Sequence, residues 1–173
     1  MAPPHPSDLA DAQMNKKTQH GMADQGTFPI WNRAFEVGVE FIDHEHKMIF
    51  SALKDFSITL EHDLGERLSA QVFLVLYNYT RSHFENEERF MRDIEYGHID
   101  VHHIQHKNFL ERLNDLRETF SNGHRIQDEL SALFFEFLHN HVLVDDAKIA
   151  AKVKTLPPAL SELGWLPNPL GRG

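Results

Sequence analysis

The sequence predicts an all-α protein, an antiparallel up-down-up-down four-helix bundle. Three observations carry this reading. Apolar residues recur at spacings of three and four over four long stretches, no convincing run has period two, and the stretches are joined by short connections. The chain has 173 residues, 41% of them hydrophobic, which is enough for one domain with a real core plus tails.

Residues 1–28 mix proline, polar and small residues without periodicity and read as a flexible N-terminal arm, in which His5 and His20 are incidental. The bundle is expected over 29–155. Its first helix runs from near Asp43 to about Leu64, with Ile42, His46, Ile49, Phe50, Leu53, Phe56 and Leu60 on one face. Gly65 separates it from a second helix over roughly 66–94, striped by Leu68, Val72, Leu76, Tyr79, His83, Glu87 and Phe90. The third covers about 99–120 and aligns His102, His106, Phe109, Leu113 and Leu116. Ser121-Asn122-Gly123 ends it, because glycine tolerates the left-handed conformation found past helix ends. The fourth runs from about Gln127 to Lys154 with Leu130, Leu133, Phe134, Phe137, His141 and Val144 on one side. From residue 156 a C-terminal tail with Pro157, Pro158, Pro167 and Pro169 cannot extend that helix, and Trp165 is expected to pack it onto the bundle.

Composition excludes several functions. Seventeen Lys+Arg against 26 Asp+Glu give a net charge of −9, so no broad basic surface exists for nucleic acid or for an anionic membrane. Cysteine is absent, which removes disulfides, thiolate metal sites and cysteine nucleophiles. The first 28 residues lack the apolar core of a signal peptide, and no stretch approaches the roughly 18 apolar residues of a spanning helix. A cytoplasmic location is the expectation.

The unusual number is 13 histidines. Several lie on the apolar faces, where burying a polar group without a partner costs several kcal/mol. Each of the four helices carries at least one, so they would meet at one depth of the bundle. His83 and Glu87 are four apart, as are His102 and His106, and each pair projects from one helix face. His46 and His141 sit within the stripes of the first and last helices. Several neutral imidazoles with a few carboxylates suit a metal centre. Spacing alone would add Asp145, four residues after His141. His44, His62, His98, His103, His124 and His139 lack such placement and read as surface or outlying positions. Glu45 and Glu88 either accept the second N–H of a ligand imidazole or are simply solvated.

These segments resemble the hemerythrin family. Trp31…Phe35-Glu36-Val37-Gly38-Val39…Ile42-Asp43-His44-Glu45-His46-Lys47 is similar to its opening, which places a ligand histidine three residues after the Asp. His83-Phe84-Glu85-Asn86-Glu87-Glu88 looks like its HFxxEE segment, His102…His106 like its HxxxH pair, and Phe137-Leu138…His141-Val142…Asp146 like its closing WLxxHIxxxD. The resemblance covers about residues 30–150 and is of the bacterial type. It implies seven ligands to two irons, His46, His83, Glu87, His102, His106, His141 and Asp146, with Glu87 and Asp146 bridging together with an oxide or hydroxide. It selects Asp146 over Asp145, five residues beyond His141, which must lean across or sit where the helix is distorted. Phe137 stands where the family has Trp. Phe50, Phe84, Phe134 and Phe137 are either lining for the centre or plain core.

On this resemblance the ligands fill eleven of about twelve octahedral positions, and the one left open lies on the iron with fewer histidines. That implies reversible dioxygen binding, for carriage, storage or delivery, by a non-enzymatic protein whose partner is dioxygen. A di-iron peroxidase or oxidase is the alternative; its usual paired ExxH motifs are absent here. An oxygen or redox sensor is the third reading, and a monomer is the default state.

Overall fold

The structure is a computed structural model and describes residues 27–156. The expected N-terminal arm up to residue 26 and the tail from 157, with His5, His20 and Trp165, lie outside the described residues. After a 3-10 turn (Arg33–Phe35) come α1 (Glu40–Glu61), α2 (Glu66–Asp93), α3 (Ile99–Ser121) and α4 (Gln127–Glu136). The chain then continues without a break through a π-helical segment (Phe137–Asp146) into α5 (Ala147–Val153), every junction residue keeping right-handed helical angles. The last three form one rod, so the architecture is four helical rods, with no strand among the described residues.

The cross-helix pairs fix an antiparallel order. Glu45 meets His83 and Phe56 meets Phe73; Phe84 meets Phe109 and Phe73 meets Phe120; Gln105 meets Asp145 and Arg112 meets Glu136. In each case one number rises as the other falls.

Three turns end in the same way. At the end of α3, Gly123 takes φ +81°, its N–H bonds to the Phe120 carbonyl and the His124 N–H reaches back to Thr119. The exits from α1 and α2 repeat this geometry with non-glycine residues in the left-handed position, Asp63 (φ 47°) and Glu95 (φ 51°).

Two apolar clusters form the core. The larger includes Ile49, Phe50, Phe56, Phe73, Phe84, Phe134 and Phe137; the smaller gathers Phe41, Ile42, Phe90, Met91 and Ile149 at one end of the bundle. Burying a Phe or Ile contributes about 1.5–3 kcal/mol, so these residues dominate the stabilisation. Phe28, at the expected end of the arm, is buried here against Phe56.

Two expected stripes differ from what is found. On α2, Leu76, His83, Glu87 and Phe90 are buried as expected, but Leu68 and Tyr79 are 42% and 39% exposed, and Ser69, Phe73 and Thr80 join the inner face instead. Residues 68–80 carry no charge, so either side of the helix could serve as the inner one. The face with Phe73 wins because the Ser69 and Thr80 hydroxyls satisfy themselves on the carbonyls of Gly65 and Leu76. On the last rod Val144 is 48% exposed and Val142 is buried, because the π segment changes the periodicity there.

Candidate metal centre

A band of buried polar residues separates the two apolar clusters. On α1 His46 falls between Ile42 and Ile49, on α2 Glu87 falls between Phe84 and Phe90, and on the last rod Asp146 falls between Val142 and Ile149. Its members are His46, His83, Glu87, His102, His106, His141 and Asp146, none more than 7% exposed. The structure therefore brings together all seven residues named from the sequence.

They fall into two groups. Glu87, His102, His106 and His141 offer ligand atoms within 4.8 Å of one another, and so do His46, His83 and Asp146. The carboxylates reach across. Asp146 places Oδ2 3.3 Å from His46 Nε2, and Oδ1 3.3 and 3.2 Å from Nε2 of His102 and His141. Glu87 Oε2 lies 3.2 Å from Nε2 of both His102 and His106, and 3.9 Å from that of His83.

Local structure explains the convergence. His83/Glu87 and His102/His106 are one α-turn apart and share a face. In an α-helix Asp146 would point about 140° away from His141. The π-helical segment changes this, since its i→i+5 hydrogen bonding makes five residues close to one turn. Asp146 is thereby turned inward and fully buried, while Asp145 faces the rim, accepting from Lys148 Nζ (2.6 Å) and Gln105 Nε2 (2.9 Å).

Acidic neighbours set the imidazole tautomers. His83 Nδ1 donates to Glu45 Oε2 (3.1 Å), whose other oxygen accepts from Asn86. His106 Nδ1 donates to Glu88 Oε1 (3.0 Å), which also accepts from exposed His103. Both bonds leave Nε2 as a lone pair aimed into the band. Of the two open readings of Glu45 and Glu88, the orienting one holds. The hydrogen bond from His106 is the main reason Glu88 is held below the usual carboxylate range.

The donor set fits cations. Both nitrogens of His46, His83 Nε2, Glu87 Oε1 and both Asp146 oxygens are buried without a hydrogen bond. Such orphans are individually costly, and here they converge. Nε2 of His106 and of His141 face each other at 3.0 Å. Burial pushes His102 down, but the carboxylates of Asp146 and Glu87 close to its Nε2 outweigh this and raise it to about 10. Burial pushes Glu87 up, and the imidazoles of His102, His106 and His141 around it hold it well below the ordinary value. His141, for which burial dominates, is lowered.

A family model described as "Hemerythrin HHE cation binding domain" matches residues 37–153. The chain belongs to the hemerythrin family. It is 32% identical over 151 residues to a bacteriohemerythrin of Pseudomonas paraeruginosa, covering 83% of this chain and 95% of that relative. It is 31% identical over 123 residues to a myohemerythrin of Theromyzon tessulatum, covering 71% and 92%. No solved structure matches significantly. Membership in a hemerythrin family implies dioxygen binding at a non-haem di-iron centre, and this chain has the His, Glu and Asp groups to hold the metal.

His44, His62, His98, His103, His124 and His139 are all exposed, as expected of the six left unplaced. Sequence reasoning missed Asp43. It is buried, and its carboxylate accepts from the N–H groups of Val37 (2.7 Å) and Gly38 (3.0 Å), pinning the entry to α1 one turn before His46. Its one signal was its place in the opening motif. Among the described residues, no helix is long and apolar enough to cross a membrane.

Proposed function

We propose that this chain is a non-enzymatic dioxygen carrier or store, in which His102, His106 and His141 hold one iron and His46 and His83 the other. Glu87 and Asp146, which reach imidazoles of both groups, would complete the set that holds the pair. The observation that supports this is the reach of each carboxylate to imidazoles of both groups. An isolated ion would need only one group.

When bound, the iron pair supplies the electrons that reversible dioxygen binding borrows. The protein does the rest. Five imidazoles and two carboxylates leave a modest net charge in an apolar interior, and they leave the group of two imidazoles as the less crowded side. Glu45 and Glu88 fix the tautomers of His83 and His106, so neither ring needs to reorient when metal enters. Phe50, Phe84, Phe134 and Phe137, all buried, keep water from the centre and so slow irreversible oxidation. We read the location as cytoplasmic and the chain as a monomer.

Elemental analysis of the purified protein should find about two irons per chain. Visible absorption bands should form when the reduced protein meets air and vanish on degassing. Bands that form once and cannot be reversed overturn the carrier reading, and rapid peroxide consumption would replace it with an enzyme.

A further inference from the structure

Between α3 and the last rod lies an open cavity of about 550 Å³. Its rim is polar and is tied across by Arg112–Glu136 (2.8 Å) and Gln105–Asp145 (2.9 Å). Its floor is not polar. Phe84, Phe109 and Phe137 line it beside His141, and all four are buried residues, so the cavity cuts through the bundle surface to the edge of the polar band.

Phe137 holds a special place on that floor. Its ring stacks on His141 (centroids 5.1 Å, 19°) and also meets His46 edge-on at 5.9 Å. His141 belongs to the group of three imidazoles and His46 to the group of two. One ring thus stands between the open cavity and the less crowded half of the centre. A larger indole at this position, as in the family motif, would extend further into the same space.

We infer that this cavity is the entry route for small uncharged molecules to the His46–His83 side, and that Phe137 is its gate. The inference rests on the dioxygen-binding reading. A neutral diatomic molecule suits the route, since it passes aromatic walls without desolvation cost, whereas an ion would have to leave water. A second cavity, between α2 and α3, also touches Phe84 and ends at His106, but it does not reach Phe137. It serves as the control.

A gate changes both directions of passage equally. Phe137→Ala should therefore raise the dioxygen association and dissociation rate constants together, by about tenfold each, with little change in equilibrium affinity. Phe137→Leu should do the same to a smaller degree if the alanine variant folds poorly. Asn140→Trp, which plugs the cavity from the exposed rim, should slow both steps, and Lys107→Trp in the second cavity should slow neither. Xenon titration of the zinc-loaded protein followed by NMR gives a reading independent of oxygen chemistry. Xenon should shift the signals of Phe137, His141 and Phe109, and Asn140→Trp should reduce those shifts. Xenon shifts confined to Leu110 and Tyr77, or slowing by Lys107→Trp but not by Asn140→Trp, would overturn the route. A protein that binds no dioxygen at all would sink the carrier reading while leaving the xenon result to judge the cavity.

Discussion

Asp145 and Asp146 are adjacent carboxylates with opposite surroundings. Asp146 has both oxygens buried among imidazoles, and Asp145 is tied to Lys148 and Gln105 at the rim. Asp146→Asn should lower the iron content from about two per chain to one or fewer, whereas Asp145→Asn should leave it unchanged, as read by elemental analysis. Equal loss in both would show that the turn inward at Asp146 has been misread. Glu45 and Glu88 act through His83 and His106. Glu45→Gln or Glu88→Gln should preserve the fold but weaken metal retention about 10–100-fold against a chelator, the usual cost of removing a partner that orients a ligand. The family motif picked out the seven buried polar residues that the fold gathers, because a metal centre needs particular atoms at particular spacings. Whether Glu45 orients an imidazole, and which one, was not legible, since α1 and α2 had to pack before Glu45 could meet His83 across 38 residues of sequence.

At the scale of elements, helix ends and the π segment carry the information. Gly123 occupies the left-handed position past α3, and nothing crowds the space where a Cβ would go. Gly123→Ala should therefore cost only the backbone strain, about 1 kcal/mol, visible as a lower urea midpoint. Glu95 takes the same conformation with a side chain, so Glu95→Gly should stabilise by a few tenths to about 1 kcal/mol in the same assay. If Glu95→Gly destabilises, the side chain is making a compensating contact. Helix order and type were readable from period alone. The facing of the first half of α2 was not, because Leu68 and Tyr79 on one side rival Phe73 and Thr80 on the other, and local spacing cannot tell which side neighbours will cover.

For the whole molecule, metal and protons compete for the same buried nitrogens. In the metal-free protein His102 rises to about 10 from an ordinary 6.5, and His83 is raised too, burial lowering it and Glu45 more than restoring it. A group whose folded value is raised contributes stability fully present below its unfolded value and lost as pH rises. The metal-free protein should therefore lose stability steadily between about pH 6.5 and about pH 10. Glu87 and Asp146, held low in the fold despite burial, act oppositely and withdraw their contribution as pH falls below the carboxylate range. Urea midpoints across pH 6–10 test this, and the iron-loaded protein should lack the alkaline decline because its imidazoles carry no exchangeable proton at Nε2. Loading should also release protons and raise the melting temperature, since a ligand that binds only the folded state stabilises it. An unchanged melting temperature after chelation would contradict a structural role for the metal.

The amino-acid order by itself determined four helices, their sequence and the identity of the polar residues on them, because period and spacing are local properties that survive without neighbours. Only the tertiary structure decided which side of the first half of α2 faces inward, that the last rod winds as a π-helix through Phe137–Asp146, and that Glu45 and Asp43 reach across to hold α2 and the entry to α1. Each of those depends on what a distant segment offers as a partner. Burial and hydrogen-bond satisfaction are settled between elements, not within them.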